Sequence, residues 1–378
     1  MTAPVPAKTL PRTIRYSALD GYRFVAAVCV VVYHYNIDFR LGLERLSPAV
    51  PHLSAMVDFF FLLSGFVIGA AYLNRMDGMK DYALFLRARL ARIYPLHLLT
   101  AVASLALVPV SVIFRLPVNH PEILGLSGLP ANLALIHAWG VLNHPSFNVP
   151  SWSISAEWFV YLLVPAFFFL SRRLPIALNL LLVAGVVMVQ SAARQAAGFG
   201  PWTEATFDFG ALRAVPTFFA GVLVAANIDR LPAGLIRRWW PVHALFLAAL
   251  AGLHLQIPQE LVAVLFGLLI AAAALAERDG AKGVMTGEAM VRLGDASFAI
   301  YMLHVLVSIP LLYATRKAGL IGTSSAFACA LLALAVTVVL SLAVHARFEL
   351  PCKHWLGAAR SRRRPRAPSV VADEIPAP

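Results

Sequence analysis

The chain reads LDGYRFVAAVCVVVYHY from Leu19 to Tyr35, an apolar stretch that contains Arg23 and His34. With the residues that follow it, this stretch reaches the roughly 20 residues that a membrane-spanning helix needs. Arg23 and His34 are about three helical turns apart, so their side chains share one face of the helix. A cation and an imidazole inside a span are costly unless they line a cavity or meet a partner, which makes both residues candidates for function. The alternatives are that Arg23 reaches the membrane surface and that His34 is a packing residue.

Similar apolar runs recur along the whole chain. Of its 378 residues, 60% are hydrophobic and 13% are charged, with a mean hydropathy of +0.75, which excludes an ordinary soluble domain. The runs of spanning length lie near residues 20–38, 53–73, 93–114, 153–170, 176–193, 211–228, 239–254, 259–276, 296–315 and 324–346. Residues 129–142 are also apolar, but about 14 residues suit a re-entrant or interfacial segment better. The sequence therefore predicts an all-α, polytopic membrane helix bundle of about ten transmembrane helices.

The basic residues predict how these helices are oriented, because Lys and Arg are enriched in cytoplasmic loops. If the N-terminus lies inside and residues 129–142 do not cross, 24 of the 31 Lys and Arg residues are cytoplasmic, against 13 if that segment crosses. The distribution thus predicts ten spans with both termini cytoplasmic. The net charge of +12 comes from these loops and from the tail Arg360–Arg366. It indicates topology and contact with anionic lipid, and no nucleic-acid binding is expected.

The sequence predicts one membrane domain, residues 16–356, between two cytoplasmic ends that are disordered. These ends, residues 1–15 and 357–378, are rich in Pro, Ala and charge. No cleavable signal peptide is expected, because the first apolar run is of spanning length and no small-residue cleavage site follows it. The three cysteines are scattered without metal-binding spacing, so neither a metal site nor a disulfide framework is predicted.

Two further segments bring charged side chains to the ends of predicted spans. RARLARIYPLH (Arg87–His97) carries Arg89 and Arg92 at helical spacing on the predicted cytoplasmic side. Paired guanidinium groups suit the capture of phosphates, although an ordinary cytoplasmic flank has the same composition. SWSISAEWFVY (Ser151–Tyr161) brings Glu157 to the predicted outer end of a span. There a carboxylate either meets a cation or sits in the first turn of a helix, where the dipole favours it.

Five other positions have weaker signals. Asp58 invites the same interpretation as Glu157. Ser64 and Gly65 predict a helix-packing notch rather than a nucleophile and its turn, since small residues let membrane helices approach closely. His304, near the middle of a span, is either a buried hydrogen-bonding residue or part of a polar cavity. Arg213 lies at a span end and is expected to reach the membrane surface.

Together these segments resemble the acyltransferase 3 family of integral membrane acyltransferases from about Leu19 to Trp355. The matching pieces, in chain order, are LDGYRFVAAVCVVVYH, DFFFLLSGFVIG, the Arg89 and Arg92 pair ahead of IYP, SWSISAEWFVY, RAVPTFFAGVLVA and LGDASFAIYMLH. The chain departs from the family at Tyr22 and Phe24, where Leu and Gly are common, but keeps the first-span Arg and His. It is expected to be the form without a fused extracytoplasmic hydrolase-like domain.

The resemblance implies an O-acetyltransferase-like enzyme of the bacterial cytoplasmic (inner) membrane. Such an enzyme moves an acyl group, commonly acetyl, from cytoplasmic acyl-CoA to a hydroxyl of an extracytoplasmic or membrane-associated acceptor. The acceptor is often a cell-surface glycan, such as O-antigen or exopolysaccharide. Acyl-CoA is then a co-substrate, and no permanently bound cofactor is implied. A transporter or flippase of a lipid-linked glycan is the alternative, since it too needs polar groups at mid-membrane.

The same resemblance implies roles for five residues. His34 is expected to act as the general base, because a neutral imidazole suits proton removal near neutral pH. Glu157 is expected to orient and stabilise that imidazole, as the third member of a triad does. Arg23 is expected to bind CoA or to stabilise charge on the thioester carbonyl. Arg89 and Arg92 are expected to hold the CoA phosphates.

Overall fold

The computed structural model describes residues 15–113, 123, 125–232 and 234–358, and within these ranges it contains helices and no β-strand. The predicted disordered ends, residues 1–15 and 357–378, lie almost entirely outside the described residues. The α-helices are α1 (Ser17–Phe39), α2 (Met56–Tyr72), α3 (Met79–Ile113), α4 (Leu129–Leu133), α5 (Trp152–Leu162), α6 (Val164–Arg173), α7 (Ile176–Ala196), α8 (Gly210–Asn227), α9 (Trp240–His254), α10 (Gln259–Arg278), α11 (Glu288–Asp295), α12 (Ser297–Lys317), α13 (Ser324–Val344) and α14 (Leu350–Ala358). The predicted all-α fold is confirmed.

Helices lie at every segment that the sequence predicts to span the membrane. In the described part of the chain, 7 helices are long and apolar enough to cross, and the bent pair α5 and α6 makes 8 if it counts as one span. Helix α1 has 23 residues but carries Asp20, Arg23 and Asp38, and α9 has only 15 residues. The polytopic membrane bundle is therefore confirmed, whereas ten spans and two cytoplasmic termini stay predictions.

The apolar segment 129–142 does not form a long helix. Helix α4 covers only five of its residues, and the chain then turns back against α5. Ser155 of α5 holds the turn, since its hydroxyl donates to the carbonyl of Leu135 at 2.8 Å and accepts from the N–H of Ala138 at 3.0 Å. Asn132 and His137 are buried beneath this turn. Within the described residues the segment turns back inside the bundle and forms no helix of spanning length, and we call it the re-entrant segment.

Helices α2 and α8 approach each other closely along small residues. A Cβ atom on Gly65 would lie 2.0 Å from the carbonyl oxygen of Phe218, and one on Gly221 would lie 1.9 Å from that of Leu62. No side chain fits at such separations, so the two backbones can touch only because both positions are glycine. Gly65 thus has the packing role that the sequence predicts. This contact fixes α2 against α8, and both helices contribute to the site described below.

We expect Gly221→Ala to lower the melting temperature of the purified protein in detergent by several degrees. The new methyl group would overlap the Leu62 carbonyl oxygen, and overpacking of this kind typically costs about 1–3 kcal/mol. Gly185→Ala is the matched control, because a Cβ at this helical glycine of α7 meets nothing within 4 Å. The control should leave the melting temperature unchanged or raise it slightly, since Ala favours the helix. Equal melting temperatures for the two variants would contradict the close contact.

Candidate active site

Four basic side chains gather at the end of the bundle where α1 begins. Arg23 lies in the second turn of α1, Arg89 and Arg92 lie on α3, and Lys353 lies on α14, which packs against α3. The charges of Arg23 and Arg89 both act on Arg92, and those of Arg89 and Arg92 act on Lys353. The nearest carboxylate oxygen to Arg23 is that of Asp20, at a long 3.4 Å. Basic side chains gathered at one end of the bundle create a positive potential that favours an anion, although the charges of Asp295 and Glu349 also act on Lys353.

Two of these residues are unusually placed. Arg92 is exposed on α3, so its guanidinium is open to solvent and to a ligand. Arg89 is held by aromatic rings, with its guanidinium 5.6 Å from the ring centre of Tyr72 and 5.8 Å from that of Phe85. Its Nε is buried and, within the described ranges, has no hydrogen-bond partner. One Nη2 hydrogen of Arg89 donates to the hydroxyl of Tyr72 at 3.4 Å, so only part of its donor set is used within the protein.

Glu157 belongs to a hydrogen-bonded group of its own. Its Oε1 accepts from the hydroxyl of Ser64 at 2.8 Å and from the hydroxyl of Tyr161, one turn further along α5. In the part of the chain that the structure describes, no hydrogen bond joins Glu157 to His34. The structure therefore does not bring together the two groups for which the sequence predicts a triad-like contact.

Glu157 also lies at a different depth from the one predicted. The hydroxyl of Tyr301, in the second turn of α12, donates to the carbonyl of Pro150 at 3.1 Å, so α5 begins inside the bundle. From there α5 runs toward the end where α1 begins, and the charge of Glu157 acts on Arg89 and Arg92. The predicted place at the outer end of a span is wrong, because the re-entrant segment carries the start of α5 inward. Glu157 instead lies toward the same end of the bundle as the basic cluster, where it contacts Ser64 and Tyr161.

His34 lies three turns further along α1 and meets His304 of α12. Their ring centres are 4.9 Å apart, with the planes inclined by 49°. His34 is partly accessible, whereas His304 is 0% exposed. The Nδ1 of His304 lies 2.7 Å from the carbonyl oxygen of Tyr301, and because a carbonyl only accepts, Nδ1 carries the hydrogen. The Nε2 of His304 is then an acceptor, and it is buried without a partner among the described residues.

Tyr35 ties this pair of histidines to the surrounding helices. Its hydroxyl donates to the carbonyl of His304 at 3.0 Å and accepts from the hydroxyl of Thr337 on α13, with the oxygens 2.9 Å apart. Helices α1, α12 and α13 are thus joined at one point, immediately beside His34. Sequence analysis missed both residues. The position of Tyr35 next to His34 is a signal that could have found it, whereas nothing in the sequence marks Thr337.

Asp58 and Arg213 form a buried ion pair with two hydrogen bonds. Nε of Arg213 lies 3.1 Å from Oδ1 of Asp58, and Nη2 lies 2.8 Å from Oδ2. The two side chains are only 2% and 6% exposed, and the guanidinium lies 5.3 Å from the ring centre of Trp152. The prediction that Arg213 reaches the membrane surface is therefore wrong, since it meets Asp58 inside the bundle. The pair links α2 to α8. In each helix its residue comes before the glycine of the close contact, since Asp58 precedes Gly65 and Arg213 precedes Gly221.

Known proteins match the chain over almost its whole length. The acyltransferase 3 family model, an acyltransferase domain, matches residues 16–345. Acyltransferase MdmB of Streptomyces mycarofaciens is 32% identical, over 97% of this chain and 98% of that protein. Peptidoglycan O-acetyltransferase OatA of Listeria monocytogenes is 31% identical over 42% of this chain and 26% of its own. Protein 2 in the picA locus of Rhizobium radiobacter is 33% identical over 38% of this chain and 77% of its own. No solved structure matches the chain.

Proposed function

The chain belongs to the acyltransferase 3 family and is a membrane acyltransferase, and we propose that it uses cytoplasmic acyl-CoA as donor. The acyl group, acetyl in the simplest case, goes to a hydroxyl of an extracytoplasmic or membrane-associated acceptor, and we propose a cell-surface glycan as that acceptor. The membrane is the bacterial inner membrane. The observation that carries the proposal is the separation of an open basic cluster at one end of the bundle from the His34 and His304 pair at its centre.

The basic cluster supports a site for the phosphates of CoA. Arg92 and Lys353 are exposed, the Nε of Arg89 has no hydrogen-bond partner among the described residues, and Arg23 adds positive charge. Guanidinium groups bind phosphates through paired hydrogen bonds, and a positive site raises the local concentration of an anionic substrate. Glu157 beside Arg89 and Arg92 is proposed to balance their charge and to orient them when the site is empty. With the phosphates held here, the long flexible arm of CoA can extend between the helices toward His34.

The distance between the two parts of the site supports a role of Arg23 in binding the donor. Arg23 and His34 are separated by about 16 Å along α1, which is too far for both to act on one carbonyl group. Of the two roles that the family resemblance implies for Arg23, the geometry supports binding of CoA. In the proposed reaction, His34 removes the proton from the acceptor hydroxyl, and the hydroxyl oxygen bonds to the thioester carbon. The carbon–sulfur bond then breaks, and the proton passes to the departing CoA thiolate.

The proposal is tested on two levels. Purified protein in nanodiscs should bind acetyl-CoA, and mass spectrometry of surface glycans should show an acyl mass in the parent strain that a deletion strain lacks. Restoring the gene should restore that mass. A protein that binds no acyl-CoA and translocates a lipid-linked glycan would instead support the flippase alternative.

We expect Arg92→Ala to raise the dissociation constant of acetyl-CoA at least about tenfold, because a hydrogen bond to a charged group contributes roughly 1.5–3 kcal/mol. Arg92→Lys should recover only part of the affinity, since an ammonium group cannot form the paired contact. Arg87→Ala is the matched control, because Arg87 is exposed on the same helix and faces a different side of it. Isothermal titration of each variant measures the effect. If Arg92→Ala and Arg87→Ala bind acetyl-CoA with equal affinity, Arg92 does not hold the donor, and its positive charge serves only to orient the helix in the membrane.

A further inference from the structure

The acceptor nitrogen of His304 is a buried polar group near the centre of the bundle whose hydrogen-bonding capacity is unused. Its Nε2 is buried and, as far as the described residues extend, makes no hydrogen bond. Leaving a buried acceptor unpaired costs about 1–3 kcal/mol. The other nitrogen, Nδ1, already binds the carbonyl of Tyr301, so rotation of the ring would break one bond to make another. A histidine whose only task was to fill space here would be replaced at no loss by an apolar side chain.

The hydroxyl groups around His304 have their hydrogens committed elsewhere. Tyr35 donates to the carbonyl oxygen of His304, and Tyr301 donates to the carbonyl oxygen of Pro150. Neither can therefore donate to Nε2 without giving up its present bond. His34 is the remaining ring in contact with His304 that carries an N–H group in its neutral form. It makes no side-chain hydrogen bond of its own within the described ranges.

The separation of the two rings suits a hydrogen bond between them. A bond of roughly 3 Å between two imidazole nitrogens, with about 1 Å from each nitrogen to its ring centre, places the centres about 5 Å apart. The observed separation is 4.9 Å. Nε2 lies on the side of the His304 ring opposite the Nδ1 bond to Tyr301, so it points away from the backbone of its own helix. The structure itself contains no hydrogen bond between the two rings, which both lie among its described residues, so the bond is part of the proposal and not an observed contact.

We propose that His304 is a positioning residue for His34: its Nε2 accepts the N–H of the His34 imidazole. This inference rests on the proposed function, in which His34 is the base. A base must present a lone pair to the hydroxyl it deprotonates, and a neutral imidazole has a lone pair on only one of its nitrogens. The bond to His304 fixes which nitrogen that is and directs it toward the acceptor. It also stabilises the imidazolium that forms when His34 takes the proton, as the third member of a catalytic triad does. The family resemblance implies this orienting role for Glu157 instead.

Two amide substitutions separate this role from a structural one. The amide of an asparagine ends near the position of Nδ1, so His304→Asn can keep the bond to Tyr301 but cannot reach His34. The amide of a glutamine extends to the position of Nε2, so the carbonyl oxygen of His304→Gln can accept from His34. We expect His304→Asn to lower kcat about 10- to 100-fold, the usual effect of removing a group that orients a reacting residue, and His304→Gln to stay within a few-fold of the parent. In neither variant should the KM for acetyl-CoA change, because the basic cluster is untouched.

The outcomes of this experiment are distinct. Activity in His304→Asn equal to the parent, or a kcat for His304→Gln as low as that for His304→Asn, overturns the proposal. A parent protein that transfers no acyl group at all overturns the proposed function instead. Should both variants fail to fold, nitrogen NMR of histidine-labelled parent protein decides the question. His304 should show a hydrogen on Nδ1 and a hydrogen-bonded, unprotonated Nε2 coupled to His34, and a hydrogen on Nε2 would refute the proposal.

Discussion

Replacing His34 by alanine should reduce acyl transfer by about 10² to 10⁴ in rate, the usual effect of losing a general base, while acetyl-CoA still binds. Binding should persist because the basic cluster lies about 16 Å away along α1. The assay needs purified protein, with acetyl-CoA affinity measured by titration and transfer measured separately with a glycan fragment. The loss should appear in kcat and leave the KM for acetyl-CoA near that of the parent.

Arg23→Ala is the comparison for this result, since it alters the same helix. Arg23 lies at the end proposed to bind the donor, so its loss should raise the KM for acetyl-CoA, and saturating donor should restore most of the turnover. If His34→Ala lowers kcat and Arg23→Ala raises the KM for acetyl-CoA, then donor binding and proton removal take place at different depths along α1. Near-parental kcat in the His34→Ala protein would move the base to another residue. His304 would then be the next candidate, because its unprotonated Nε2 is close by.

The apolar runs of the sequence predict where the helices lie, but one predicted span is broken into two helices by a single local feature. The predicted span at residues 153–170 is two helices bent by 53°. Pro165 lies in the first turn of α6, where it has no N–H to continue the hydrogen-bond ladder of α5. A hydropathy window averages over this break, because apolar residues continue on both sides of it. The resulting bend lets α5 lie deep in the bundle.

Local pattern predicted the individual candidate residues but not their partners. The placing of Arg23 and His34 on one face needs only the helical repeat. By contrast, Glu157 meets Ser64, which is 93 positions away, and His34 meets His304 of α12. Such pairs depend on which helices contact each other. The periodic pattern of one sequence does not show which helices are neighbours. The predicted contact between Glu157 and His34 assumed that the span begins at the membrane surface, and the re-entrant segment before α5 removes that assumption.

Removing one member of the Asp58 and Arg213 pair should cost about 3–5 kcal/mol of stability, because it leaves an uncompensated buried charge. Arg213→Met should therefore accumulate poorly and melt far below the parent in detergent. Arg292→Met is the matched control, since Arg292 and Glu288 are 70% and 85% exposed and their ion pair is 3.8 Å long. An exposed pair of this kind contributes little, so the control should melt within a degree or two of the parent.

The double variant Asp58→Leu with Arg213→Met decides what the buried pair is for. If the pair only joins α2 to α8, replacing both charges by apolar groups should recover most of the stability, since a buried ion pair is often no better than a well-packed apolar one. Acyl transfer should then return together with folding, because neither residue belongs to the basic cluster or to the histidine pair. A double variant that folds and binds acetyl-CoA but transfers nothing would contradict this assignment. It would mean that the guanidinium of Arg213, held against Trp152 at 5.3 Å, acts on the acceptor rather than on the fold.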